Sequence, residues 1–208
     1  MARISSPYVD APRLPDVDEV DVASLLAQQG GELEIEIGPG RGMFLLERVV
    51  AAPDARVIGI EIRRKWSQLV DEKVRARGFG ARARVLADDA RLALAKLRPD
   101  GAVTRFFVHF PDPWWKKRHA KRFVIGDVLV AEITRLLRSG GELFVQTDVE
   151  DRAEQYRAAI AGEARLVPAG DVDGDPRLLE NPYGARSNRE KRADEDGLPV
   201  HRMRWRRG

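Results

Sequence analysis

The residues with the most chemistry in them lie in one stretch, His109-Phe110-Pro111-Asp112-Pro113-Trp114-Trp115-Lys116-Lys117-Arg118-His119-Ala120-Lys121-Arg122. Prolines on both sides of Asp112 restrict the backbone and fix the direction of its carboxylate. Trp114 and Trp115 offer faces on which a base stacks, and the cations after them suit phosphates. A plainer reading makes the tryptophans core residues and the cations a solvated helix start. A second set is spread along the chain: Glu36, then Gly38-Pro39-Gly40-Arg41-Gly42, then Glu61, then Asp88-Asp89. Glycines at 38 and 40 let the backbone approach a bound molecule closely. Glu61 follows Gly38 by 23 positions, near the ~20 expected of an acid that holds ribose hydroxyls. Asp88 or Asp89 suits an adenine amino group. Glu36 separates the candidate cofactors, because a carboxylate beside the loop repels a pyrophosphate and attracts the sulfonium and amino group of S-adenosylmethionine. An NAD-dependent oxidoreductase is further disfavoured by Met43, which stands where dinucleotide folds want Gly or Ala.

These residues need a scaffold that brings distant positions to one edge. Leu33 to Ile37 alternates apolar and polar residues and stops at the glycine loop, so it reads as a strand. Met43, Leu45, Leu46, Val49 and Val50 then mark a helix that ends near Pro53. Arg56 to Glu61 reads as a second strand, and Trp66, Leu69, Val70 and Val74 as a helix ended by Gly78. Arg84 to Ala87 is a third strand closed by Asp88-Asp89, with a short helix over Leu92 to Leu97. Arg105 to Phe110 is nearly all apolar, as a central strand should be. A longer helix runs from Ile125 to Leu137 and is ended by Gly140-Gly141. Glu142 to Thr147 is the fifth strand, with Asp148 as N-cap of the next helix. Strands and helices alternating in this way predict an α/β fold, with a mostly parallel twisted sheet and helices on both faces. Near the end, Leu166-Val167 and His201 to Arg207 predict a closing antiparallel hairpin on the sheet edge. In it Met203 and Trp205 share one face, and Arg202, Arg204 and Arg206 the other.

The 208 residues fit one compact domain, and 43% hydrophobic residues suffice for its core. The absence of cysteine excludes disulfides and thiol catalysis, and three scattered histidines argue against a metal cage, so no metal is expected. No apolar run approaches the ~20 residues of a membrane span, and the first residues lack the apolar stretch of a signal peptide. A soluble, cytoplasmic protein is expected. The net charge of +3 hides an uneven distribution. From Asp10 to Glu36 there are eight acids against Arg13 alone, whereas five cations lie between Lys116 and Arg122. Eight more follow from Arg186 to the end, against four acids. Two basic clusters behind an acidic front point to a polyanion, with nucleic acid first.

From about Glu34 to Asp151, and again at Ser187 to Glu190, the sequence resembles the bacterial tRNA (guanine-N7)-methyltransferase family. The resemblance rests on Phe-Pro-Asp-Pro-Trp at 110–114 and the Lys-Lys-Arg-His-x-Lys-Arg that follows. Glu-Ile-Gly-x-Gly at 36–40, Gly-Ile-Glu at 59–61, Asp-Ala at 89–90 and Thr-Asp at 147–148 match in order. It implies a class I methyltransferase (Rossmann-like) fold, with residues 33–208 as the S-adenosylmethionine-dependent domain and 1–32 as an N-terminal segment. It implies methyl transfer to a guanosine in the tRNA variable loop by a monomer or homodimer. By position, Glu36, Gly38, Gly40, Glu61, Asp89 and Asp112 would hold the cofactor, Asp112 being also catalytic. Lys116, Asp148, Ser187 and Glu190 would contact substrate, and Lys117, Arg118, Lys121 and Arg122 would lie on RNA. The late motif departs from the family's Thr-Lys-(Phe/Tyr)-Glu, since Ser187-Asn188-Arg189-Glu190 lacks the aromatic. Ser187 to Arg192 is expected to be a long loop of the closing hairpin, its cations sharing one RNA surface with those at 116–122. A class I methyltransferase acting on another RNA site or on a small molecule remains the nearest alternative, and a non-catalytic RNA-binding module a more distant one.

Overall fold

The strands Leu33–Ile37 (β2), Arg56–Ile60 (β3), Ala83–Leu86 (β4) and Val103–His109 (β6) pair in parallel. The returning chain is carried by the helices Met43–Ala51 (α1), Arg64–Ala76 (α2) and Ala90–Lys96 (α3). We describe the fold from a computed structural model, which covers residues 8–111 and 124–208. The chain steps outward from β2 to β3 to β4, then returns to lay β6 on the other side of β2. Strand order therefore reverses between β2 and β6, the place where open α/β sheets bind ligands at their carboxyl ends. Beyond β6 lie Leu137–Thr147 (β7), His201–Arg207 (β10) and Leu166–Pro168 (β8), giving the order β4-β3-β2-β6-β7-β10-β8. Arg177–Leu178 (β9) also pairs with β10.

Two expectations at the far end of the sheet need correction. Gly140-Gly141 does not end the helix Asp127–Leu136 (α4), which passes directly into β7 at Leu137. The glycines lie inside that strand, where the register against β6 shifts between Val103↔Leu137 and Arg105↔Glu142. A Cβ on Gly141 would stand 2.9 Å from the Arg138 carbonyl oxygen and 3.0 Å from that of Thr104, so the bulge requires glycine there. Asp148 does not cap the helix Glu150–Ala161 (α5); its N-cap is Val149, without a side-chain bond. The closing antiparallel pair does form the sheet edge, with β8 outermost and β10 between it and β7, antiparallel to both. Met203 and Trp205 bury their side chains in the main core from this interior position.

One face of the sheet is apolar throughout. Ile35, Ile37, Phe106, Val108, Val145, Met203 and Trp205 pack there with Leu94 of α3, Leu129 and Ile133 of α4, and Tyr156 and Ile160 of α5. The N-terminal segment closes one end. Val20–Asp21 (β1) pairs in parallel with Leu97–Arg98 (β5), and Val20, Val22 and Leu26 join the same core. The opposite face carries Val57 and Val85 under α1 and α2, and an aromatic group of Phe44, Phe107, Phe144 and Tyr183.

The alternation of β2 predicts a polar face, yet all five of its residues are buried. Charge pairing reconciles the two. Arg48 of α1 donates to both Glu34 oxygens, from Nε at 2.8 Å and Nη2 at 2.7 Å. Arg105 of β6 reaches Glu34 at 2.9 Å and also Glu32 and Glu142. Glu142 in turn accepts from the Tyr183 hydroxyl at 3.1 Å and from Arg206 at 3.0 Å, with Arg204 at 3.8 Å. A lattice of ion pairs thus crosses β2, β6, β7 and β10 beneath α1.

Burial alone would raise the Glu142 carboxyl, but Arg206, Arg204, Tyr183 and Arg105 outweigh it and hold the group below its ordinary value of 4.5. A lowered carboxyl stabilises the fold above its unfolded-state value, and that contribution is lost as pH falls through the folded-state value. Glu142→Gln is therefore expected to cost about 1.5–3 kcal/mol at neutral pH. The loss should shrink below pH 4.5, as read from denaturant unfolding at a series of pH values. A pH-independent difference would remove the charge from this account.

Candidate functional site

At the carboxyl ends of β2 and β6, two residues on adjacent strands face each other across the switch in strand order. Glu36 is buried, and its Oε1 stands 3.0 Å from Nδ1 of His109. Against an ionised carboxylate, Nδ1 carries the hydrogen and donates it to Glu36. Neither Glu36 Oε2 nor His109 Nε2 has a partner among the described residues, and the same holds for both amide atoms of Gln146, His109's neighbour on β7. The imidazole packs against Phe44, with ring centroids 4.1 Å apart, and lies nearly parallel to the Phe107 ring at 5.9 Å. Buried polar atoms are normally satisfied, so this group is built to receive something.

The glycine loop lies immediately beyond β2. Gly38 and Gly40 have φ of 71° and 55°, and a Cβ at either would meet almost nothing within 4 Å, so the loop borders open space. Glu61 closes the loop from β3. Its Oε2 accepts from the Gly40 N–H at 2.9 Å, and its Oε1 from the Arg63 N–H at 2.9 Å and Arg63 Nε at 3.2 Å. A carboxylate offers about four acceptor positions, so Glu61 both fixes the loop and retains capacity for a ligand hydroxyl. Asp89 N-caps α3 through the Arg91 N–H, and the Arg91 guanidinium holds its carboxyl below the usual range despite partial burial. Asp88 accepts from the Leu14 N–H at 2.8 Å, tying the N-terminal segment to the end of β4.

On the far side of the site, Ser187 to Glu190 is not a loop. Ser187 caps the helix Asn188–Glu195 (α6), its hydroxyl accepting from the Glu190 N–H at 3.1 Å. Glu190 is fully buried and bonded to Arg202 and Asn181. Arg189, standing where the resemblance expects an aromatic, pairs with Asp148 just past β7, so α6 does reach the carboxyl edge of the sheet. The expectation of a basic RNA surface here needs revision, however. Lys191 pairs with Glu47, Arg192 with Asp196, Arg186 with Asp194, and Arg204 and Arg206 with Glu142. Burial alone would raise the Glu47 carboxyl, but Lys191 and the Arg186 N–H bring it below the usual value. Lys191, Arg204 and Arg206 hold the tail to the body, whereas the Arg186 and Arg192 pairs lie within the tail itself.

Glu36, Gly38, Gly40, Glu61 and Asp89 are therefore gathered along one edge, and Asp148, Ser187 and Glu190 lie at its other end. Asp112, Lys116, Lys117, Arg118, Lys121 and Arg122 lie outside the described residues. The chain leaves β6 towards them through Phe110, a non-glycine residue at φ 48° whose N–H donates to the Gln146 carbonyl at 2.8 Å. Sequence reasoning missed His109 and Gln146. Their strand positions were the signal, since both share the face of Glu36 at the carboxyl ends of neighbouring strands.

A family model described as a putative methyltransferase matches residues 31–203. A tRNA (guanine-N(7)-)-methyltransferase of Anaeromyxobacter dehalogenans is 38% identical over 198 residues, which span 94% of this chain and 94% of that protein. The chain belongs to the tRNA (guanine-N7)-methyltransferase family. Another member, from Myxococcus xanthus, is 34% identical over 175 residues, covering 84% of this chain and 82% of its own. Among solved structures, the 16S rRNA methyltransferase KamB superposes with a TM-score of 0.59 at 16% identity, over 89% of this chain and 90% of its own. The geranyl diphosphate C-methyltransferase of Streptomyces coelicolor gives 0.56 at 17% identity, over 89% and 76%. The fold is the class I methyltransferase fold. The site suits the family's cofactor, S-adenosylmethionine, because a buried carboxylate with an unpartnered oxygen fits a cationic ligand beside an open glycine loop.

Glu36→Gln keeps the shape of the side chain and removes the charge. Cofactor affinity measured by calorimetry is expected to fall about ten- to a hundredfold, or ~1.5–3 kcal/mol. The ligand-free protein should melt no lower than its parent, because an incompletely satisfied buried charge is unfavourable. Unchanged affinity with a lowered melting temperature would make Glu36 a structural residue only.

Proposed function

We propose that this protein transfers the methyl group of S-adenosylmethionine to N7 of a guanosine in the tRNA variable loop. The observation that carries the reading is the buried Glu36 carboxylate, satisfied on one oxygen only among the described residues, beside the open Gly38–Gly40 loop at the switch between β2 and β6. Its context is a chain 38% identical to a named tRNA (guanine-N(7)-)-methyltransferase over 94% of both lengths. When bound, S-adenosylmethionine supplies an electrophilic methyl group on a sulfonium sulfur. Glu36, oriented by His109, opposes the positive charge of such a ligand. Gly38 and Gly40 admit it to the backbone, Glu61 accepts from its ribose, and Asp89 stands at the adenine end.

Guanine N7 carries a free lone pair and no proton, so no residue has to act as a strong base. Aligning the nucleophile with the methyl–sulfur bond is the larger task, and such positioning contributes ~7–11 kcal/mol in favourable cases. The purine ring gains positive charge in the reaction, and a fixed carboxylate beside it stabilises that charge as it develops. Asp112, two residues after the constrained Phe110, takes this catalytic role and also borders the cofactor. Lys116 and Asp148 contact the substrate, and Lys117, Arg118, Lys121 and Arg122 lie on the RNA backbone. Ser187 and Glu190 serve the substrate side through α6, whose Arg189 holds Asp148 in place.

The test is incubation of a tRNA transcript with S-adenosylmethionine followed by nucleoside analysis. 7-Methylguanosine is the expected product, and a different methylated nucleoside would redirect the assignment. Asp112→Asn is expected to retain cofactor binding and lose most of the single-turnover rate. A rate within about threefold of the parent, under ~1 kcal/mol of barrier, would remove Asp112 from the mechanism.

A further inference from the structure

With the tail cations paired internally, positive charge at the site edge has to be sought elsewhere, and it gathers around Trp66 at the start of α2. The Arg41 guanidinium lies 5.3 Å from the indole centroid, that of Arg63 6.0 Å, and the Lys65 ammonium 5.6 Å. Arg64 is the next residue on the same turn, and Arg41, Arg63, Arg64 and Lys65 are all exposed. Arg63 alone has a carboxylate partner, Glu61. Arg41, Arg64 and Lys65 have no ion pair among the described residues. Three cations are thus collected around one aromatic ring, with Arg64 exposed beside them and one buried carboxylate to oppose the group. Their mutual repulsion is only partly offset by the cation–π contacts, and a polyanion relieves it.

The place matters as much as the charge. Arg41 sits inside the glycine loop, and Arg63 Nη2 stands 3.9 Å from where a Cβ on Gly40 would be. The cluster therefore flanks the Glu61 side of the cofactor edge, opposite the Asp148 and α6 side. Cations next to an aromatic face are the combination that follows a sugar–phosphate backbone without reading its sequence. We infer that Arg41, Arg64, Lys65 and Trp66 form a phosphate-binding surface over which the backbone of the substrate RNA passes as the target base enters the site. The inference rests on the RNA-substrate reading. It adds a contact surface that the two basic clusters of the sequence did not include.

The test uses Arg64→Ala combined with Lys65→Ala in the full chain, with anisotropy of a labelled tRNA transcript measured across a series of KCl concentrations. Transcript affinity is expected to fall roughly tenfold at low salt, and the slope of log affinity against log salt to lessen by about 1.5, for two lost phosphate contacts. S-adenosylmethionine affinity by calorimetry and the melting temperature should match the parent. The charge-conserving pair Arg64→Lys with Lys65→Arg should retain parental binding and slope. Curves for the alanine variant that overlay the parent at every salt concentration would overturn the surface and leave the RNA reading intact. A charge-conserving pair as weak as the alanine pair would also overturn it, since shape and not charge would then be responsible. A parent protein that fails to bind the transcript would overturn the RNA reading itself, and this inference with it.

Discussion

The fold turns on a carboxylate that has no access to water. Glu34 lies in the middle of β2 with none of its surface exposed, and three N–H groups from Arg48 and Arg105 satisfy it. Removing one partner from such a buried arrangement costs about 3–5 kcal/mol, because the remaining charge cannot be solvated. Arg48 does more than neutralise Glu34. Its Nη1 donates to the Tyr183 carbonyl at 2.8 Å, so one guanidinium joins β2, α1 and the segment ahead of α6. The glycine loop lies between the two elements that Arg48 ties together. Its position is therefore set by this contact as much as by its own residues.

Two residues further along the same strand and face, Glu36 differs from Glu34 in that one of its oxygens has no partner among the described residues. The same residue type thus serves two ends within a single strand. Glu34 is enclosed by arginines and holds the structure together. Glu36 is met by a single histidine on one oxygen, and its other oxygen is left with capacity for a cationic ligand. Local rules are expected to fail where a protein does its work, and Glu36, His109 and Gln146 are such a failure.

Much of this was legible in the sequence. The order of strands and helices, the glycine loop and the strand-end acids follow from periodicity and spacing, because each depends on neighbours close in the chain. What escaped depends on residues far apart. Gly140-Gly141 carries the local signature of a helix end, but the close approach of the Thr104 carbonyl makes it a bulge. Asp148 looks like a cap until Arg189, 41 positions later, draws it away. The tail cations resemble a nucleic-acid surface because composition records how many charges there are and not how many are already paired. The motif around Asp112, the most specific in the sequence, was legible there alone.

Phe110 carries a consequence of a different kind. A side chain at φ 48° holds a backbone conformation that favours glycine, at a cost of roughly 1–2 kcal/mol. Stability alone would replace this residue, and a search for hardier variants would drift towards glycine at position 110. The same change would free the backbone at the point where β6 ends and the chain leaves the sheet edge at Pro111. Robustness and a fixed exit from β6 are set against each other at this one residue, and the chain has settled for the exit.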